Sequence, residues 1–450
     1  MNMKIFNKFL SLLIVLCVAI ACFAGCQQGT DKPQNTAPQF IDYVAQTKLK
    51  MESSTKKQEV TVKSYIDGDT THFIVPAELS ADGTLKARYM GVNTPESTGK
   101  IEEWGKKASN FTKEKLLNAT SIIVESNDDK WNVDSTGGRH LVWVWYKPQD
   151  SQDYRCLNLE LIQNGLSISC GTTADLYGEA ASKAFQQAKT QKLNVFSGTK
   201  DPDFFYGDAY ELDLKFLRSN ISLFDGIKVA FEGVVTYNNN NSVYVESYDA
   251  ESDMYYGMSV YYGYETGELL NILKIGNMVR VVGTVTYYET GGTWQVSGLN
   301  YREFKPKDPS NTIKISEGHS ASYRETDADI FANGKMDATV NVSLEGEETE
   351  VKTFDYTALA MSTTISMKNL QVVDVYTTHN GGESDGAMTL TCKSGNTTID
   401  VRTIVLYDSN GNMMTEADYM GKTIDVKGII DYFSGDYQIK VFTTNDIIVH

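Results

Sequence analysis

From residue 57 onward the apolar runs come in an order that few folds accommodate. Val60, Val62 and Tyr65 mark a first strand, Thr70 to Val75 a second after the turn sequence Asp67-Gly68-Asp69, and Leu85 to Val92 a third. A helical pattern then runs from Glu102 to Leu117, with Trp104, Ala108 and Phe111 on one face. Two more strands follow, Ser121 to Glu125 and Arg139 to Tyr146; the latter is apolar on both faces, so both must be covered. Helical patterns at 157–164, stopped by Gly165, and at 179–192 end the segment. Three strands, a helix and two strands is the order of a five-stranded Greek-key barrel, the OB-fold. Residues 57–198 are expected to form one, with three helices.

The C-terminal half repeats a strand unit. Gly276-Asn-Met-Val-Arg-Val-Val-Gly283 matches Gly421-Lys-Thr-Ile-Asp-Val-Lys-Gly428. Each is followed by an aromatic pair (Tyr287-Tyr288, Tyr432-Phe433), a hairpin turn, and then Trp294-Gln295-Val296 or Tyr437-Gln438-Ile439. Two OB-like all-β barrels are expected, at 218–306 and 358–450, with 199–217 a connector and 307–357 an acidic linker. A mainly β chain of three barrels suits 450 residues. The formal charge of −17 is uneven: residues 57–198 carry 16 Lys/Arg against 18 Asp/Glu, and residues 199–450 carry 19 against 37. That acidity opposes a polyanionic partner for the C-terminal half. Tyr255, Tyr256, Tyr261, Tyr262 and Trp294 offer surfaces on which bases stack. Alternating aromatics in strands more often pack the sheet, so structural or protein contacts are the favoured role there.

Met1 to Cys26 reads as an export signal. Lys4 and Lys8 precede an apolar run, Phe9 to Ala21, too short to span a bilayer. Phe23-Ala24-Gly25-Cys26 resembles the bacterial lipobox, which implies cleavage before Cys26, a lipid on its thiol, and anchoring to the outer face of the cell membrane. Residues 27–56, polar and with two Pro, read as a tether. Cys156, Cys170 and Cys392 remain, and spacing leaves a Cys156–Cys170 disulfide open. No CxxC or HExxH pattern supports zinc.

The segment Ala87 to Ser97 carries the densest chemistry. Pro95 ends a strand at Asn93-Thr94, and Arg88, Asn93 and Glu96 surround the break. Extended, Arg88 and Glu96 would stand roughly 26 Å apart at about 3.3 Å per residue; only a turn brings both to one ligand. Together with Tyr-Ile-Asp-Gly-Asp-Thr at 65–70 and Gly-Arg at 138–139, this segment resembles the staphylococcal nuclease (thermonuclease) family. Leu-Asn-Leu-Glu-Leu-Ile-Gln-Asn-Gly-Leu at 157–166 and Lys-Leu-Asn-Val-Phe-Ser at 192–197 extend the resemblance over 57–198. It implies a calcium-dependent phosphodiesterase acting on DNA and RNA and leaving 3′-phosphates. By the same resemblance Asp69 is a carboxylate ligand of Ca²⁺, and Thr94 ligates through its carbonyl. Glu96 activates or orients the attacking water, Arg88 and Arg139 grip the phosphate, and Asp67 supports the site from behind.

Elementary chemistry suits those roles. A carboxylate can take a proton from water, and a charged pentavalent phosphorus centre is stabilised by a hard cation and by planar guanidinium forks. One departure stands out: the family usually has a second calcium carboxylate where this chain has Asn93. The amide oxygen still ligates, but the lost charge removes on the order of a few kcal/mol of attraction. Positions that flank the bound base in the family fall here on Ser135 or Thr136, and on Gly171 and Thr173, so base preference does not carry over. Taken singly, Asp67-Gly68-Asp69 reads as a hairpin turn, Arg139 as a structural ion-pair partner and Glu96 as a solvated residue. Their joint spacing favours a nuclease; the alternative is a catalytically weak nucleic-acid-binding or adhesion lipoprotein.

Overall fold

Three five-stranded barrels follow one another with the same strand order. The computed structural model describes residues 40–99, 101–136, 138–265 and 267–450. The export signal, Cys26 and the first part of the tether lie outside the described residues. A short helix α1 (Tyr43–Gln46) precedes strands β1 (Lys57–Tyr65), β2 (Thr70–Ile74) and β3 (Thr84–Tyr89). Helix α2 (Gly105–Leu117) leads into β4 (Ala119–Glu125) and β5 (His140–Pro148), followed by α3 (Leu157–Gln163) and α4 (Gly178–Thr190). Strands β1–β2, β2–β3, β1–β4 and β4–β5 pair antiparallel, and a parallel β3–β5 pairing closes the barrel. Closure leaves no free edge among these five strands.

The second barrel begins with helix α5 (Leu214–Ser219) and contains β6 (Lys228–Asn238), β7 (Ser242–Asp249), β8 (Met254–Tyr261), α6 (Glu268–Ile272), β9 (Met278–Tyr288) and β10 (Thr293–Ser297). It repeats the plan, closed by a parallel β8–β10 pairing. After β11 (Ile313–Ser316), α7 (Ala328–Asn333), β12 (Lys335–Asn341) and β13 (Thr349–Asp355) comes the third barrel. Its strands are β14 (Thr364–Thr377), β15 (Met388–Ser394), β16 (Thr397–Thr403), β17 (Thr423–Phe433) and β18 (Asp436–Val441). A parallel β16–β18 pairing closes it.

In the first barrel, Val142 to Tyr146 of β5 are buried in succession, and α3 is buried along its whole length. The doubly apolar strand is thus lined by the barrel interior on one side and helices on the other. Gly165 stops α3 at φ +65°, and a Cβ there would lie 2.5 Å from the Leu193 carbonyl oxygen. Only glycine lets residues 193–195 close over that helix end.

Three segments between the barrels and before them are more ordered than tether, connector and linker imply. Residues 42–56 are not all tether: Val44 is buried, Tyr43 N–H donates to Gln163 Oε1 at 2.7 Å, and the Thr55 hydroxyl donates to Glu125 at 2.6 Å. A four-residue helix with one buried side chain leaves no periodicity to read. The connector 199–217 is partly core, since Leu214 and Leu217 are buried in the second barrel. The acidic linker 307–357, whose sequence admits partly ordered strand, holds a hairpin, β12–β13, and a strand, β11, paired with β9; Ala328, Phe331 and Val340 are its buried anchors. Among the described residues no helix is long and apolar enough to cross a membrane.

Candidate active site

Strand β3 ends at Tyr89, earlier than its apolar pattern suggests, because Gly91 at φ +75° turns the chain before Asn93. A Cβ on Gly91 would stand 3.0 Å from the Cys170 carbonyl oxygen, so this turn is packed from behind. Asn93 is strapped by its own N–H to Ser167 Oγ at 2.9 Å, while its carbonyl accepts from Ile168 N at 2.8 Å. The corner is therefore held by the chain that follows α3. Its other flank meets α2. A Cβ on Gly105 would come 2.1 Å from the Glu96 carbonyl oxygen, and Glu102 N–H donates to that oxygen at 2.9 Å. Trp104, at φ +69°, accepts this strained turn into the helix with its N–H bound to Asp201 Oδ2 at 2.6 Å.

Arg88 is the hub. Its guanidinium donates to Asp69 Oδ1 and, from Nη2, to Asn93 Oδ1 at 2.7 Å. Asp69 is 1% exposed and its carboxylate is fully engaged. Thr70 Oγ1 donates to Oδ1 at 3.0 Å, and Thr94 N–H to Oδ2 at 2.8 Å. Asp67 orders the hairpin by accepting from Asp69 N–H at 3.0 Å. Gly68 between them is obligatory, because a Cβ would sit 2.8 Å from Thr94 Oγ1 and 2.9 Å from Ala108. Asp67, Asp69, Arg88, Asn93 and Thr94 thus form one connected cluster.

Glu96 and Arg139 approach it without touching it. Arg139 donates from Nε to Asp134 Oδ2 at 2.7 Å, and its charge acts on Asp67, Arg88 and Glu96. Asp134 is held at about 2, first by the Thr136 hydroxyl and then by Arg139. Desolvation by its neighbours, reinforced by the Asp67 charge, pushes the Glu96 carboxyl above its ordinary value although the residue is exposed. Asp67 is raised likewise by burial, against the opposing pull of Arg88 and Arg139. Two carboxyl groups whose protonation is eased and two guanidinium groups held by acids that a phosphate can replace suit binding and cleavage of a phosphodiester.

The oxygen set at the corner fits a hard cation in kind. Asp69 offers a carboxylate, Asn93 an amide oxygen and Thr94 a carbonyl. The guanidinium of Arg88 already lies between the Asp69 and Asn93 oxygens, a positive group standing in for a cation there. The set is lean in charge: among the described residues no group of three or more His, Cys, Asp or Glu side chains is gathered for a metal.

Sequence reasoning missed the supports. Glu102, Gly105, Asp134 and Ser167 each touch a named site residue, yet none has a motif of its own; Gly105 alone left a trace, a glycine at the front of a helical pattern. Ser135 and Thr136 are exposed on the loop whose Asp134 grips Arg139. Of the aromatics named in the second barrel, Tyr256 and Tyr262 are buried in its core, while Tyr261 and Trp294 line an open cleft.

Fold and site together define an OB-fold protein with an Arg/Asp/Glu corner on its first barrel. The family model described as "Staphylococcal nuclease homologue" matches residues 86–198. A thermonuclease of Staphylococcus hyicus is 32% identical over 150 residues, covering 32% of this chain and 79% of the relative. A thermonuclease of Staphylococcus intermedius is 28% identical over 152 residues, covering 33% and 81%. The chain belongs to the staphylococcal nuclease family through its first barrel.

Proposed function

We propose that this chain is a calcium-dependent nuclease that hydrolyses DNA, and RNA where offered, to 3′-phosphate products, exported and held at the membrane by a lipid on Cys26. The observation that carries the reading is the Arg88 guanidinium poised between Asp69 and Asn93, with Glu96 and Arg139 beside it. Arg88 and Arg139 are each bound to a carboxylate, so a substrate phosphate can exchange with Asp69 and Asp134 for their donors. Both guanidinium groups then face the oxygens on which charge grows. Glu96 accepts the proton of the attacking water once ionised, and its raised pKa makes it the better base. Asp67 and Thr94 N–H hold Asp69 in place throughout. Calcium held by Asp69, Asn93 and the Thr94 carbonyl would supply positive charge to the phosphate oxygens and acidify bound water.

The deciding experiment uses the full mature chain with labelled single-stranded DNA, with Ca²⁺ or with chelator. Cleavage only with Ca²⁺, lost in Arg88→Ala, supports the proposal; binding without cleavage supports instead a nucleic-acid-binding lipoprotein, the reading that Asn93 favours. Calorimetry checks the metal set separately: Asn93→Asp should bind Ca²⁺ on the order of tenfold tighter, since a restored charge outweighs its desolvation.

A further inference from the structure

Where the three barrels meet, a cavity of about 580 Å³ opens, lined by residues from all three. Its wall on the first barrel consists of Tyr65-Ile66 and Thr98-Gly99. These residues flank the two turns of the catalytic corner: Ile66 precedes Asp67, and Gly99 lies three residues past Glu96, a span of at most about 11 Å. A smaller cavity of about 110 Å³, lined by Ser97 and Glu102 among others, shares Tyr65, Ile66 and Thr98 with it. The cleft thus adjoins the site already described through residues next to it in the chain, and Glu102, whose N–H donates to the Glu96 carbonyl, lines the smaller cavity. Ser297 Oγ donates to the Gly99 carbonyl at 3.1 Å, fixing this wall to the second barrel.

The opposite walls are aromatic. Tyr261, Tyr287 and Trp294 come from the second barrel, Tyr432 and Phe433 from the third. Tyr287 and Trp294 are cross-strand partners with rings 5.0 Å apart, edge to face. The tip of their hairpin reaches the third barrel, where a Cβ on Gly292 would stand 3.3 Å from the Tyr432 ring. Sheet packing does not account for Tyr287 and Phe433, which are 40% and 60% exposed; Trp294 packs partly against the core and presents the rest of its ring to the cleft. These five aromatic rings, facing Tyr65 across one open concavity, are surfaces for flat apolar groups.

Net acidity was the argument against a nucleic acid here, and the cleft escapes it. The charged residues among its described lining are Glu289, Asp431 and Lys440. Glu289 is paired with Lys113, which also lies 5.7 Å over the Tyr65 ring, and Asp431 stands 3.7 Å from Lys440. Each carboxylate has its own lysine, so the wall is close to neutral while the acid excess lies elsewhere on the two barrels. A neutral, aromatic cleft running from a phosphodiester-cleaving corner suits bases, with the sugar–phosphate chain left toward solvent.

We propose that the three-barrel cleft is a base-stacking subsite that holds the single-stranded part of the substrate adjoining the bond to be cut. The proposal deepens the nuclease reading and rests on it for the substrate, but its test does not need turnover. Fluorescence anisotropy of a labelled twelve-nucleotide single strand is measured on the full mature chain with chelator present, so that no cleavage intervenes. Trp294→Ala and Tyr432→Ala should each weaken binding between about fivefold and a hundredfold, as loss of one stacked base does. Trp294→Phe should recover most of the affinity, and the same sequence as a duplex should bind less tightly. Neither residue belongs to the catalytic corner, so kcat on a nitrophenyl diester of one nucleoside should stay unchanged while KM for the long strand rises. Unchanged affinity in both alanine variants, with melting curves like wild type, overturns the subsite. So does saturable quenching of Trp294 by a neutral oligosaccharide with none by the oligonucleotide, which would make the cleft a glycan site. A wild-type chain that binds the strand through Trp294 and Tyr432 yet cleaves no diester sinks the nuclease reading and leaves the subsite standing.

Discussion

The first barrel and the two behind it are built on one strand order but joined by different physics. The second and third barrels share a single apolar core: buried Val229, Phe231 and Val281 belong to the same cluster as Ile365, Val401 and Ile439. Their seam is further closed by Tyr237 stacked on Phe442 at 3.9 Å and by the buried Glu246 carboxylate, which accepts from Thr364 N–H at 2.7 Å and from Ser322 N–H at 3.2 Å. The first barrel keeps a core of its own. It meets the second through polar links, Lys106 to Asp225 at 2.7 Å, Lys113 to Glu289, and Ser297 to Gly99. A shared core makes two barrels one cooperative body, whereas exposed ion pairs contribute little each. The proposed catalytic corner resides in the body that is loosely joined, and the cleft lies along the loose joint.

That contrast predicts two calorimetric transitions, and substitutions should separate them. The largest effect is chemical: Arg88→Lys should lose at least about a hundredfold in turnover, nearly as much as Arg88→Ala, because an ammonium cannot present the planar fork. Near-normal turnover in Arg88→Lys would remove the bidentate role, and in either case the second transition should not move. Next comes Glu246→Ala, which strands the buried N–H of Thr364 and the partly buried N–H of Ser322. Its expected cost is roughly 3 kcal/mol or more, read as a lower midpoint of the second transition alone with kcat on a small diester retained.

Smaller still is a pH effect at the same residue. Burial raises the Glu246 pKa above 4.5, against its hydrogen bonds. A folded-state value above the unfolded one favours the protonated group in the fold. Its contribution is therefore full below the unfolded value and is lost as pH rises through the folded one. Glu246→Gln should flatten that descent between pH 4.5 and the raised value; identical pH slopes in both proteins would refute it. The smallest change is Arg218→Met. Arg218 is buried between the fused barrels, donates from Nη2 to the Ala358 carbonyl at 2.7 Å, and leaves Nε and Nη1 without a partner among the described residues. Burial lowers it to about 10. An apolar side chain of like length should leave the second transition unchanged or raise it by roughly 1 kcal/mol; a marked loss would show that the guanidinium is satisfied by something else.

Much of this was legible because local chemistry and tertiary role coincide. The strand order of residues 57–198 and the Gly276/Gly421 repeat are statements about alternation and turns, which sequence records directly. Arg88, Asn93 and Glu96 stand out because a proline corner gathers them. What sequence hides is approach. Nothing local says that Gly105 must be glycine for the Glu96 carbonyl, that Asp134 will claim Arg139, or that two repeated units will fuse their cores while the third stands apart. The aromatic pairs after each repeat were visible, yet only the position of the first barrel shows that they face a common cleft.

Cys156 and Cys392 are both wholly buried, the latter pushed up to about 12 by burial, and Cys156, Cys170 and Cys392 are all free thiols. Every barrel is thus closed by backbone pairing and side-chain packing, with no covalent bridge among the described residues. The barrels therefore need no oxidant and no disulfide-exchange partner to reach the fold of the described residues. Refolding yield of the three barrels should be the same with or without reductant.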